Sequence, residues 1–405
     1  MSMFEQIPDG VPDGVFEMMA AFKRDTNKQK VNLSPGLYCD ESATPWVLPT
    51  VREARNSLIS DATLNYDVSP QAGDPSFVSA AREIMFGEAL AGKAIASMQT
   101  IGGTGANQFA ARLLSDTLRP KTVWLPDPSW ENHTKIWTHI NPAIKQGLYP
   151  YFDYETSTLN IEGMISTLRT QASKGDVLIL HACAHNPTGL DPSRDDWQRI
   201  AETCEERQLF PFFDFAYQGF ATGSIEDDAW AIRHFITRPK GPIELTVAQS
   251  FSKNFGLYGE RIGCLHVVTK TPSIAAKVDA LLRTISRAQI SSAPGFSAKV
   301  IAMIWKTPEL RGKWYDDLRT MTTRLRYMRE RLYDELTRRN TPGNWDHILT
   351  DTGMFSMTGF PPRQVKRLRE EFHVYLMPTG RLSFTGLTEG TVEYVADCMH
   401  QVSLE

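Results

Sequence analysis

The chain has 405 residues, 41 % of them hydrophobic and 22 % charged, with a formal net charge of −4. That length exceeds one ordinary core and predicts a large and a small domain. The mild negative charge gives no reason to expect a nucleic-acid or anionic-membrane partner. Five scattered cysteines (Cys39, Cys183, Cys204, Cys264, Cys398) form no CxxC pair, which argues against a disulfide framework or a structural zinc site. The acidic start lacks the apolar run of a secretory signal and the basic character of a transit peptide, and no stretch reaches the ~20 apolar residues of a membrane span. A soluble cytoplasmic protein is expected.

Residues 1–15 hold two Pro-Asp-Gly steps and read as turns in an extended arm, with a helical pattern from Val15 to Lys23. In the middle of the chain, short apolar runs alternate with amphipathic stretches. The runs are residues 122–125, 176–181, 209–215, 245–248 and 262–268, and the helices are expected over 106–118, 194–207 and 272–285. This alternation is the pattern of a mainly parallel sheet covered by helices, an α/β fold. Residues 297–339 read as almost continuous helix with a break at Pro308, long enough to join two domains. Beyond residue 345 come strand-like runs at 353–357, 374–377 and 382–384 and a basic helix at 362–371, a small α+β domain. The predicted division is an arm over 1–15, a small domain from 16–48 and 321–405, and a large domain over 49–320.

Four polar clusters stand where apolar runs end, the place where parallel α/β sheets bind ligands. The first, Gln99 to Gly105, has glycines before a helix, suited to an anion at a helix N-terminus. It matches neither a P-loop nor the dinucleotide fingerprint, and alone it reads equally well as an ordinary turn. The second, His181 to Gly189, contains Asn186-Pro187, a turn signal where cis proline occurs; by itself it reads as a tight turn. The third carries Asp214 in an apolar run, with Tyr217 three residues on. A buried carboxylate there needs a cation or strong donors, either in a structural pair or facing a protonated heterocyclic nitrogen. The fourth sets Lys253 among Ser250, Ser252 and glycine, with Arg261 eight residues on. Desolvation makes such a lysine a Schiff-base candidate, and the serines and arginine suit a phosphate. Together a phosphate turn, a strand-end carboxylate and a sheltered lysine meet the needs of pyridoxal phosphate.

The segments HNPTG (185–189), DFAYQGF (214–220) and SFSKNFGLYGERIG (250–263) resemble the class I aminotransferases, specifically the aspartate and aromatic aminotransferase group, and the resemblance runs over essentially the whole chain. It implies fold type I, with a mainly parallel seven-stranded sheet in the large domain. It implies that Lys253 binds the cofactor and shuttles the Cα proton. Asp214 pairs with the pyridine nitrogen, supported by His133; Trp130 stacks on the ring; and Asn186 and Tyr217 bond its phenolic oxygen. Gly103, Thr104, Ser250, Ser252 and Arg261 hold the phosphate. Arg381 clamps the substrate α-carboxylate, beside Gly36 and Phe355 of the closing wall. The resemblance further implies a homodimer in which the arm wraps the partner, Tyr66 reaches the neighbouring phosphate and Arg287 a distal carboxylate. No metal is expected.

This chain departs from the family pattern in three places. It is about two residues longer between Tyr66 and Pro75; Pro35 replaces an aliphatic residue; and Ser292 replaces the asparagine of aspartate-specific members. Ser291-Ser292 is similar to the dual-specificity aromatic members. The expected activity is ping-pong transfer from aspartate, aromatic amino acids or both to 2-oxoglutarate. A strictly aspartate-specific enzyme and a decarboxylase or lyase of the same fold are the alternatives; the two carboxylate-binding arginines argue against the latter.

Overall fold

The computed structural model describes residues 2–404 except 8, 9, 11, 12 and 240. Seven strands form the main sheet. From one edge to the other they are Ala94–Ile101, Ile262–Thr269, Leu245–Ser250, Phe210–Phe215, Val177–His181, Thr122–Asp127 and Lys145–Pro150. All run parallel except Ile262–Thr269, which is antiparallel to both of its neighbours.

The central strands are buried over most of their length because helices cover both faces, so their residues are largely apolar at successive positions rather than alternate ones. Ile179, Phe212, Ala248 and Leu265 point into one apolar cluster with Phe109 and Leu113 of the helix Gly102–Thr117. Leu178, Leu180, Phe213, Phe215 and Val247 point to the other face, among Trp197, Ile200 and Phe235.

The C-terminal part is built from short pieces. Val31–Asn32 pairs in parallel with Val374–Tyr375, and Phe355–Met357 pairs antiparallel with Arg381–Ser383. The long helical stretch divides at Pro308 as predicted, into Phe296–Lys306 and Pro308–Arg338. Pro at a first helical position lacks an N–H that would be unpaired anyway. Trp314 on the second helix is fully buried, stacks on Phe255 at 4.5 Å, and donates from Nε1 to the Asn254 carbonyl at 2.8 Å. The helix thereby props the loop that carries Lys253.

Other boundaries shift. The helix predicted from residue 106 begins at Gly102, because glycines that look like breakers form its first turn. Strands 94–101 and 145–150 lie outside the predicted apolar runs, since these edge strands carry small and polar residues. The two Pro-Asp-Gly turns of the arm fall partly outside the described residues; an 11-residue helix follows, Gly14–Arg24, capped by Asp13. No helix of the described residues is long and apolar enough to cross a membrane.

Gly386 sits where a Cβ would lie 1.9 Å from the Asn32 carbonyl oxygen, so backbone, not a movable side chain, forbids it. Gly386→Ala is expected to cost about 1–3 kcal/mol or more, read as a lowered urea midpoint with unchanged slope.

Candidate active site

One cleft opens beyond the carboxyl ends of the central strands. Register sets His181 beside Asp214 and Asp214 beside Ala248, so two polar side chains emerge together where the apolar strands stop. Thirteen of the sequence-predicted residues line this cleft: Gly36, Gly103, Thr104, Trp130, Asn186, Asp214, Tyr217, Ser250, Ser252, Lys253, Arg261, Phe355 and Arg381.

Asp214 is the negative centre. Its Oδ2 lies 2.8 Å from His133 Nε2, and His133 Nδ1 lies 3.0 Å from the Ser129 hydroxyl. A histidine donating from Nε2 leaves Nδ1 to accept from Ser129, so the serine sets the tautomer the aspartate needs. Burial works against the charge on Asp214, yet His133, His181 and Lys253 hold the carboxyl below its ordinary range. Behind it, burial pushes His181 down to about 3, leaving a neutral imidazole. His133, His181 and Asp214 bring three potential metal-ligand atoms within 4.8 Å. The first is already hydrogen-bonded to the third, and His181 Nδ1 accepts the Asn186 N–H at 3.2 Å.

Lys253 follows the strand Leu245–Ser250, with its Nζ 5.0 Å from the centre of the Tyr217 ring. Burial pushes its amine down to about 8, with Asp214 opposing and Arg261 assisting. An amine so placed is still mainly protonated near physiological pH, but its neutral fraction is far larger than that of an ordinary lysine, which makes it a usable nucleophile and base.

The anion cradle depends on absent side chains. A Cβ on Gly102 would lie 2.5 Å from Arg261 Nη2, and one on Gly103 would lie 2.8 Å from Ser250 Cβ. Arg261 itself takes a left-handed φ of 55°, uncommon outside glycine, and its Nη1 donates to the Tyr258 carbonyl at 2.9 Å. Ser250, Ser252, the guanidinium and the first turn of helix Gly102–Thr117 thus surround a space with several donors and no carboxylate, suited to a phosphate.

Arg381 closes the opposite side. It is buried, donates to Asn186 Oδ1 at 3.0 Å and to the Ser34 carbonyl at 2.6 Å, and keeps Nε without a partner among the described residues. Its guanidinium lies 4.2 Å from the centre of the Phe355 ring. Gly36 admits that ring: a Cβ there would come within 2.8 Å of Phe355 Cζ.

His133 stands behind Asp214 rather than on the cleft wall. Tyr66 is 89 % exposed, and Arg287 is exposed and turned toward Ser291. The single chain therefore does not bring those two to its own cleft. Asn107, Tyr258 and Val15 line the cleft without having been singled out. Asn107 stands one helical turn beyond Gly103 and donates to its carbonyl at 3.0 Å, a spacing that marks it in retrospect. Tyr258 accepts the Tyr38 N–H at 3.0 Å across 220 residues, for which no local pattern exists.

The cleft accommodates pyridoxal phosphate: an anion cradle where only glycine fits, an ionised carboxylate for a pyridinium nitrogen, and a sheltered lysine. The family model for aminotransferases of class I and II matches residues 28–398. The chain is 43 % identical to an L-tyrosine:2-oxoglutarate aminotransferase of Aspergillus ustus, over 98 % of this chain and 77 % of that one. It is 39 % identical to the cytoplasmic aspartate aminotransferase of Saccharomyces cerevisiae, over 99 % and 97 %. The solved structure of the Saccharomyces cerevisiae cytoplasmic aspartate aminotransferase superposes with a TM-score of 0.96 at 39 % identity, covering 99 % of this chain and 98 % of that one. An aromatic-amino-acid aminotransferase from Burkholderia pseudomallei, covalently bound to pyridoxal phosphate, superposes at 0.94 with 34 % identity and full coverage of both. The fold and cleft are those of a fold-type-I transaminase that uses pyridoxal phosphate. The chain belongs to the class I aminotransferases, within the aspartate and aromatic aminotransferase group.

Gly103→Ala should force Ser250 out of the cradle and weaken cofactor retention by roughly tenfold or more, a step of 1.4 kcal/mol. Titration of the purified apoprotein with pyridoxal phosphate, followed by absorbance, reads this directly.

Proposed function

We propose that the protein transfers the amino group of aspartate, of aromatic amino acids, or of both, to 2-oxoglutarate in two half-reactions at this cleft. The observation that carries the reading is a lysine and an ionised aspartate enclosed in one cleft, facing a buried arginine whose hydrogen bonds go only to uncharged acceptors. Bound pyridoxal phosphate supplies an aldehyde for amine capture and a ring that takes up the electron pair of Cα. Lys253 holds the cofactor at rest and, once released, takes and returns the proton at the substrate Cα. Asp214, oriented by His133, keeps a proton on the pyridine nitrogen. Trp130 covers the ring, and Asn186 and Tyr217 meet its phenolic oxygen. Gly103, Thr104, Ser250, Ser252 and Arg261 hold the phosphate. Arg381 clamps the α-carboxylate, and Phe355 and Gly36 keep the pocket wall dry.

The reading includes a homodimer in which Tyr66 and Arg287 serve the neighbour's cleft. Their exposure supports it, as does the apolar exposure of Met3, Phe4 and Ile7 along the arm and of Phe16 just beyond it. It also includes a small domain of residues 16–48 and 321–405, joined by the pairing of Val31–Asn32 with Val374–Tyr375, closing over a large domain of 49–320. A cytoplasmic location follows the naming of the yeast relatives.

Arg287 governs substrate choice. A charge-assisted contact to a distal carboxylate is worth roughly 1.5–3 kcal/mol, whereas an outward arginine leaves room for an aromatic ring. The near-equal identities to a tyrosine and an aspartate aminotransferase favour a chain that accepts both.

Lys253→Ala should lower turnover by about 10²–10⁴-fold or more, the share of a positioned acid–base group; a steady-state assay with normal kcat in that variant would end the assignment. Arg287→Ala should lower kcat/KM for aspartate about ten- to a hundredfold and leave phenylalanine nearly unchanged. Equal loss for both donors would place selection in another residue.

A further inference from the structure

Behind the cleft, between the HNPTG loop and the strand that carries Phe355, lies a buried group of charges that the reaction above does not use. Arg329, on the helix Pro308–Arg338, is fully enclosed. Its Nη1 donates to the Ile348 carbonyl at 3.1 Å and to the Ser356 hydroxyl at 2.6 Å. Its Nη2 reaches the carbonyls of Thr352, Gly353 and Phe355 at 3.2, 3.0 and 2.7 Å. Every one of these acceptors is uncharged, and three of them belong to the four residues 352–355.

Two carboxyls answer that cation from a distance. Asp191 is well provided: it accepts from the N–H groups of Ala184 and His185 at 2.8 and 3.2 Å and from the Thr352 hydroxyl at 2.6 Å. Asp351, just past the short helix His347–Thr350, is not. It is 5 % exposed, and both of its oxygens are buried without a hydrogen-bond partner among the described residues. Ser356 is near enough to favour the ionised form, yet no bond of normal geometry reaches either oxygen. One cation needs one anion, and Asp191 already has the donors to be it. A second buried carboxylate without donors is costly, so Asp351 keeps its proton until the pH is high.

We propose that Asp351, with Arg329 and Asp191, forms a proton-sensitive support for the Phe355 wall, so that ionising Asp351 loosens the hold of Arg381 on a carboxylate ligand. The link is short. The carbonyls that Arg329 gathers include that of Phe355, whose ring lies under the Arg381 guanidinium and against Gly36. A new charge on Asp351 draws Arg329 from those carbonyls or draws water in, and either shift moves the wall. Asp351 is thus a positioning residue, and the inference rests on the reading of Arg381 as the α-carboxylate clamp.

Burial pushes Asp351 up to about 7, with Arg329 opposing. The other groups facing it are shifted away from that range: burial pushes both His347 and His185 down. Asp191 is likewise raised by burial but is held by its three donors. The sign follows from linkage. A carboxyl whose folded-state value is raised costs stability as pH climbs from the ordinary carboxylate range to about 7, and the loss is constant above that.

The test compares cofactor-loaded wild type with Asp351→Asn from pH 5 to 9. The variant's advantage in thermal midpoint, already begun at pH 5, should widen by several degrees by pH 7 and stay level beyond 8. Over the same window the wild-type KM for aspartate should rise several-fold while that of Asp351→Asn stays flat, with kcat little changed in both. Any titration common to both proteins drops out of the difference between the two profiles. Should the amide fit poorly, Asp351→Ser gives the same flat KM profile if the proposal holds. Parallel midpoints, or a midpoint gap with coincident KM profiles, overturn it. Saturable turnover with coincident profiles overturns this proposal alone, whereas no turnover with any amino acid in either protein overturns the transaminase reading and this proposal with it.

Discussion

A carboxylate placed at the end of an interior strand is stable only if a donor or positive charge meets it there, and at Asp214 one hydrogen bond and further electrostatic support come from separate parts of the chain. His133 arrives from the helix after the Pro128-Ser129-Trp130 turn, His181 from the adjacent strand, and Lys253 from the loop beyond the next one. Their joint effect keeps the charge in a site where desolvation alone would remove it. The same charge opposes the fall of the Lys253 amine, which settles at about 8 rather than lower. Basicity of the lysine and acidity of the aspartate are therefore one coupled property of the strand ends, and the rest of the cleft is built to keep that pair enclosed.

Enclosure comes from packing. Trp314 wedges under Asn254 and Phe255 and fixes the lysine loop from the side away from the cleft. Phe355 fills the opposite wall and is admitted only because Gly36 has no side chain. Two arginines then sit in different environments: Arg261 beside two serines and facing glycines, Arg381 between an amide, a carbonyl and an aromatic face. The first arrangement gathers donors toward an anion with three oxygens; the second pairs the guanidinium only with neutral groups, so its charge is left for a planar carboxylate.

Much of this was legible in the linear chain because fully buried parallel strands are short unbroken apolar runs, and a polar residue ending such a run stands at the ligand-binding edge. Asp214 and Lys253 announced themselves that way. The edge strands Ala94–Ile101 and Lys145–Pro150 did not, since small and polar residues blur the run. Pieces of two or three residues, such as Val374–Tyr375, lie below any periodic signal. Tyr258 contributes through a contact with Tyr38, a relation that exists only after folding. The roles of Tyr66 and Arg287 came from family resemblance alone, and in one chain both face solvent.

The reversed strand Ile262–Thr269 carries a consequence for how the molecule comes into being. Its pairing sets Ile262 opposite Ile101, so Gly102 and Arg261 meet although about 160 residues separate them along the chain. Contacts that close such long loops form late, after local helices and neighbouring strands have reduced the entropic cost. The cradle is thus a product of a nearly finished sheet and not a seed for it. On a ribosome it has no counterpart until the chain has passed residue 261. Cofactor capture is accordingly a final act that adds mass-action stability to an assembled native state and gives no guidance to the chain on its way there.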